Sequence, residues 1–194
     1  MPTRRQALLA LSLLPLAASG CTTTVVQAIT PPDYRNLPEL HLNVAKIATE
    51  SLYDSRTDLP NVEGLSSYPL KKMVMMWLDD TVSADGSSGW INVQIIDASI
   101  REEKLEKKPG LSGLFSIDQT EIYHSHIQLL FQINFPDYRS EISVESSAAQ
   151  SVDENATLRD REQVWVRLGE KMIAEIDQSL RTKIRRDLPR LLIN

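Results

Sequence analysis

Two histidines, His124 and His126 in "EIYHSHIQLLF", carry the most evident chemical potential in the chain. On a strand, residues i and i+2 point the same way, so both imidazoles could offer a nitrogen to one metal ion. Zinc takes three or four ligands, and no cysteine or carboxylate stands at a fitting distance along the sequence. Beside Gln128 and Gln132 the pair reads as a solvated strand face, and a metal-dependent hydrolase at these histidines ranks last of three functional readings. Asp79 and Asp80 fall on the polar side of a helix and require no catalytic role. The nucleotide, nucleophile-elbow and zinc-protease signatures (P-loop, GxGxxG, GxSxG, HExxH) do not occur. The sequence therefore reads as non-enzymatic, with no catalytic residue, no metal ligand and no cofactor assigned. "NAT" at 155 to 157 matches a glycosylation sequon and is read as a loop followed by a helix cap.

The elements that would carry these side chains alternate between two periods. "LHLNVAKI" places Leu40, Leu42 and Val44 on one side of a strand. From Pro69, the residues Leu70, Met73, Val74, Trp77, Leu78 and Val82 fall at three- and four-residue steps, one stripe of a helix that Gly86 would end. Pro69 suits its first turn, with Ser66 or Ser67 as cap. Met73 and its neighbours read as core, where methionine fills irregular gaps. "WINVQIIDASIRE" alternates through Ile91, Val93 and Ile95 and then changes phase to Ile96, Ala98 and Ile100, so a bulge is expected near Ile95. In the next strand Tyr123, Ile127, Leu129, Phe131, Ile133 and Phe135 face inward while both histidines face out. "PDYR" turns the chain into "SEISVESSAAQSV".

A long helix closes the chain: Thr157 and Asp160 have capping-box spacing, and Val164, Leu168, Met172, Ile176, Leu180 and Ile184 form its stripe. Arg181, Lys183, Arg185 and Arg186 complement the dipole at its end. The order strand, helix, three strands, helix implies an α+β fold. The expected form is a two-layer α/β sandwich, one mainly antiparallel sheet of about four strands covered by two helices, with the first two strands parallel across a right-handed crossover.

The amino terminus explains the single cysteine. A basic start at Arg4 and Arg5, an apolar run of roughly a dozen residues and the small residues Ala18, Ser19 and Gly20 have the layout of an export signal. The run is shorter than the roughly 20 residues that span a bilayer. "AASGC" resembles the lipobox of bacterial lipoproteins, which implies lipidation of Cys21 and its exposure as the first residue of the mature chain. Several acyl chains on one residue hold a protein firmly where one does not. "TRRQALL" is also similar to a twin-arginine export signal, although two arginines equally suit any basic signal start. Thr22 stands where aspartate would mark inner-membrane retention, so the resemblance implies the outer membrane, with the body facing the periplasm.

Residues 1–20 are thus assigned to the signal peptide, 21–39 to the lipidated cysteine and a proline-containing tether able to reach about 60 Å, and 40–194 to a single domain. The chain of 194 residues has a formal charge of −5, and without residues 1–20, which hold two arginines and no acid, 19 basic face 26 acidic side chains, a net −7. Such a body is a poor ligand for nucleic acid, and one cysteine cannot form a disulfide within the chain.

The layout after the lipobox resembles the YajG-type small periplasmic lipoproteins, with "NVQIIDASI" and the closing helix as the nearest local matches, and more distantly the accessory lipoproteins of lipid and lipopolysaccharide transport. Between the second and third strands, "EKKPGLSGLFSIDQ" is long for a hairpin and carries Leu111, Leu114 and Phe115 among glycines, with Lys104, Lys107 and Lys108 beside them. These three apolar residues are the candidates for contact with a protein partner, or else fold back over the sandwich. The leading reading is a lipid-anchored periplasmic binding or accessory module of a cell-envelope assembly. The second is a small lipid carrier or chaperone holding an acyl chain near Trp77 and Trp165.

Overall fold

The computed structural model describes residues 28–105 and 119–193. Cys21 and the loop candidates Leu111, Leu114 and Phe115 lie outside the described residues. The elements in chain order are β1 (Leu40–Leu42), β2 (Lys46–Ser51), α1 (Leu70–Thr81), β3 (Val82–Ala84), β4 (Trp90–Lys104), β5 (Gln119–Asn134), β6 (Arg139–Asp153) and α2 (Leu158–Asp187). The main sheet has the order β2-β4-β5-β6, with β2 parallel to β4 and the other neighbours antiparallel. This is the expected α+β two-layer sandwich, and the first two strands of the main sheet are parallel as anticipated.

The apolar alternation drives the arrangement. Ile91, Val93, Ile95, Ala98 and Ile100 of β4 are buried, as are Tyr123, Ile127, Leu129, Phe131 and Ile133 of β5 and Ile142 and Val144 of β6. Between Ile95 and Asp97 the register against β5 slips by one residue, since Ile95 faces Leu129 and Asp97 faces Gln128. Ile96 is the unmatched residue of that bulge. It lets the strand keep one buried face on both sides of the phase change.

Two differences from the sequence reading have one cause. "LHLNVAKI" is not a single strand: β1 pairs in parallel with β3 as a separate two-stranded sheet, and the chain joins the main sheet only at Lys46. Val82, read as helical, is the first residue of β3, so α1 ends at Thr81 and Gly86 does not end it. Partnership with Leu40–Leu42 outweighs helical spacing at a β-branched residue. The cap differs as well. Pro69 precedes the first turn of α1 and no side chain caps it, while the Ser66 hydroxyl accepts from the Tyr68 amide.

Both helices bury the stripes expected of them. Leu70, Met73, Val74, Trp77 and Leu78 of α1 meet Val164, Leu168, Met172, Ile176, Leu180 and Ile184 of α2 above the sheet. Gly169 permits the close crossing: a Cβ there would lie 2.6 Å from Met73 Cε. Thr157 and Asp160 form the capping box, the Asp160 amide donating to Thr157 Oγ1 at 3.2 Å and the Thr157 amide to Asp160 Oδ2 at 2.8 Å. The bond with Thr157 holds the Asp160 carboxyl below its usual range.

Buried polar groups join the layers. The Trp77 indole donates to Asp177 Oδ1 at 3.2 Å, and Arg181 grips both oxygens of Asp177 at 2.7 and 3.0 Å while also donating to the Pro38 carbonyl. Where β2 stops, the 52–66 segment covers the edge of β4. Leu52 and Val62 donate backbone bonds to Ile95 and Ile100, and Glu102 donates to Pro60. Glu63, fully buried, fills the gap between them. Its carboxylate accepts from the Ile100 amide at 3.2 Å, the Arg56 amide at 2.9 Å and the Tyr53 hydroxyl. Burial, then this bond to Glu63, pushes the Tyr53 hydroxyl well above its ordinary pKa.

At the other end of the sheet Arg161 of α2 clasps Glu121 of β5 with two bonds, at 2.7 and 3.0 Å. That contact lowers the Glu121 carboxyl pKa. A carboxyl with a lowered folded pKa contributes stability above its unfolded value and loses it as pH falls through the folded one.

Two outcomes follow for stability. Glu63→Ala strands the Ile100 amide and the Tyr53 hydroxyl in the interior, and is expected to cost about 3 kcal/mol in denaturant unfolding. Glu121→Gln is expected to cost about 1 kcal/mol at neutral pH, a difference that shrinks as the pH is taken below about 4. Unfolding both proteins at neutral and acid pH checks the sign.

Candidate functional site

The outer face of the main sheet is polar, and past the bulge it hollows into a shallow basin of about 520 Å³. Its floor is built in cross-strand rows. Ser99 of β4, His126 of β5 and Ser147 of β6 stand side by side in one row, and Arg101, His124 and Ala149 in the next. Asp97, at the bulge, closes one end. The histidines do share the outward face that their spacing implies.

Each imidazole has a local partner. His124 Nε2 lies 2.8 Å from Glu103 Oε2, and His126 Nδ1 lies 2.8 Å from Ser147 Oγ. Among the described residues no group of three or more His, Cys, Asp or Glu side chains is placed to hold a metal ion. His124 turns to Glu103 and His126 to Ser147, so the two rings and the carboxylate are not gathered around one point.

A second cluster was not anticipated from the sequence. His41 of β1 meets Ser83, its partner in the middle of β3, and Asp85 just after that strand: His41 Nδ1 is 2.6 Å from Asp85 Oδ2 and 3.0 Å from Ser83 Oγ, and Ser83 Oγ donates to Asp85 Oδ2 at 2.7 Å. These are the residue types of a hydrolase triad. The geometry is different, because hydroxyl and carboxylate sit at the same ring nitrogen, whereas a relay needs them on opposite nitrogens. Nε2 instead points toward Glu39, 3.9 Å away. The bonds from Ser83 and then His41 lower the Asp85 pKa. The cluster clips β1 to β3. Ser83 and Asp85 are spaced to share a strand face, but nothing local in the sequence announces a partner 42 residues upstream.

Trp77 and Trp165, the residues assigned to an acyl-chain site, are interior. Trp77 is held by Asp177, and the Trp165 ring stands edge-on to Tyr123 with centroids 5.5 Å apart. Ordinary core packing accounts for both, and for Met73. Of the basic residues late in α2, Arg181 turns inward to Asp177, Lys183 donates to the Ser143 carbonyl at 2.6 Å and Arg186 pairs with Asp187.

The stretch before β1 is more ordered than a tether. Tyr34 is 5% exposed and Ile29 and Leu37 pack on the core. Ala28, Ile29 and Thr30 lie beside Gln163, Val166 and Arg167 of α2. The packed body therefore reaches back at least to Ile29. No helix among the described residues is long and apolar enough to cross a membrane.

The class that this architecture defines is an α+β two-layer sandwich with an open polar sheet face. No family model matches the chain, and no curated protein matches it. Among solved structures it is similar to the rare lipoprotein B from Shewanella oneidensis, at 13% identity and a TM-score of 0.40, over 74% of this chain and 97% of that one.

Purified protein analysed for metals is expected to carry no stoichiometric zinc. His124→Ala and His126→Ala should each change stability by less than about 1 kcal/mol, as for other exposed polar contacts. A metal-dependent rise in the melting temperature that either substitution abolishes would contradict this.

Proposed function

We propose that this chain is a lipid-anchored accessory module of a cell-envelope assembly. It is held at the outer membrane through Cys21, faces the periplasm, and acts by binding a protein partner without catalysing a reaction. The lipobox-like "AASGC" supplies the anchor. The observation that supports the presentation of the body is the course of residues 28–38 along the helical layer, fixed by Tyr34 in the core and by Arg181 on the Pro38 carbonyl.

Only six residues lie between Cys21 and Ala28, so the two are at most about 25 Å apart along the chain. An anchor so short holds the helical side toward the lipid and leaves the open sheet face turned to the periplasm. Leu111, Leu114 and Phe115 remain the contact candidates read from the sequence. The second reading, a lipid carrier, has no observation in its favour at Trp77 and Trp165, since both are packed.

Intact mass of the native protein is expected to show acyl chains on the cysteine at position 21, and Cys21→Ser is expected to move the protein from the membrane pellet to the soluble fraction. An unmodified thiol on the native protein, or its recovery from the cytosol, overturns the reading.

A further inference from the structure

Strand β6 ends the main sheet and nothing among the described residues pairs with its outer side. Alternation along the β5–β6 ladder starts from the hairpin bond of the Phe135 amide to the Tyr138 carbonyl. It directs the backbone groups of the odd-numbered residues of β6 outward. Lys183 Nζ on the Ser143 carbonyl fits that assignment. The opposite edge is short, with Lys46 at its start. By contrast β6 runs for 15 residues, "RSEISVESSAAQSVD", with neither the lysine nor the proline that usually blunts a free edge.

We infer that two copies of this chain pair antiparallel along β6, with residue 146 on the twofold axis, to form one continuous eight-stranded sheet. The register follows from charge. Centred on residue 146, the strand covers itself over its whole length. Arg139 stands opposite Asp153 at both ends, Glu141 opposite Ser151, Ser143 opposite Ala149 and Glu145 opposite Ser147. Among the described residues neither Arg139 nor Asp153 has an ion-pair partner within its own copy, and both are exposed. Sliding the copies by two residues in either direction sets Glu145 against Glu145 or Glu141 against Asp153, which like-charge repulsion disfavours.

On the inner side Ser146 meets Ser146, each hydroxyl donating to Glu175 of its own copy at 2.6 Å. The Ser143 carbonyl has a second lone pair to accept from the partner's Ala149 while Lys183 stays in place. A twofold axis through the strand pair stands perpendicular to the sheet. Both helical layers, and residues 28–38 lying on them, therefore fall on one side, where two anchors could enter the same leaflet. Only that last point rests on the lipid-anchor reading.

The test uses the full chain carrying Cys21→Ser, which separates pairing from membrane attachment. Native mass spectrometry and sedimentation at micromolar concentration are expected to show a dimer. Arg139→Asp and Asp153→Arg should each weaken it about tenfold, as expected when two exposed ion pairs become repulsive, and the double swap should restore it. With Glu145→Cys and Ser147→Cys together, oxidation should link the copies, while Ser147→Cys alone should link them poorly. A monomer at all concentrations, or a dimer indifferent to the charge swaps, overturns the inference whether or not the native protein is acylated.

Discussion

One unmatched residue in β4 sets the terms for the whole sandwich. Had the strand continued past Ile95 without the slip at Ile96, Ala98 and Ile100 would have turned to solvent, and Ser99 and Arg101 would have faced the core. Side-chain direction in a strand has a period of two, so a strand of 15 residues holds one buried face only if its pattern is unbroken or its backbone absorbs the break. Here the backbone absorbs it. The polar outer face and its basin, with Ser99, Arg101 and both histidines in matched rows, are the other side of the same slip.

The helical layer depends on close contact and on a few buried polar joints. Gly169 lets α1 and α2 approach, and Asp177 gathers Trp77 and Arg181 beneath the segment that enters from the amino terminus. Glu63 performs a related task at the edge of β4, where a carboxylate replaces the backbone partner that β2 no longer supplies. A buried charge persists only when its hydrogen bonds are met, and each of these acids has at least two donors. They tie segments far apart in sequence more specifically than apolar contact could.

Much of the fold was legible because it is local in origin. The capping box at Thr157 and Asp160, the stripe of α2, the alternation of β5 and the phase change in β4 are all written in neighbouring residues. What could not be read depends on partners. The division of "LHLNVAKI" between two sheets is decided by β3, some 40 residues downstream, and the same pairing turns Val82 from helix to strand. Glu63 sits in a stretch whose composition signals only a loop, because its donors at Tyr53, Arg56 and Ile100 are assembled by tertiary structure. The outward placement of His124 and His126 was legible, whereas the cluster of His41, Ser83 and Asp85 was not. Cys21 and the apolar loop lie outside the described residues and remain readings of sequence.

The first strand is also joined to the other extremity of the chain. Leu42 bridges to Leu192, the Asn43 amide donates to the Leu191 carbonyl and the Ile193 amide to the His41 carbonyl. Closing a loop of that span costs entropy before any contact returns it. A nascent polypeptide cannot complete this corner until residues 191–193 have been made, so the contacts that seat β1 against them are among the last to form.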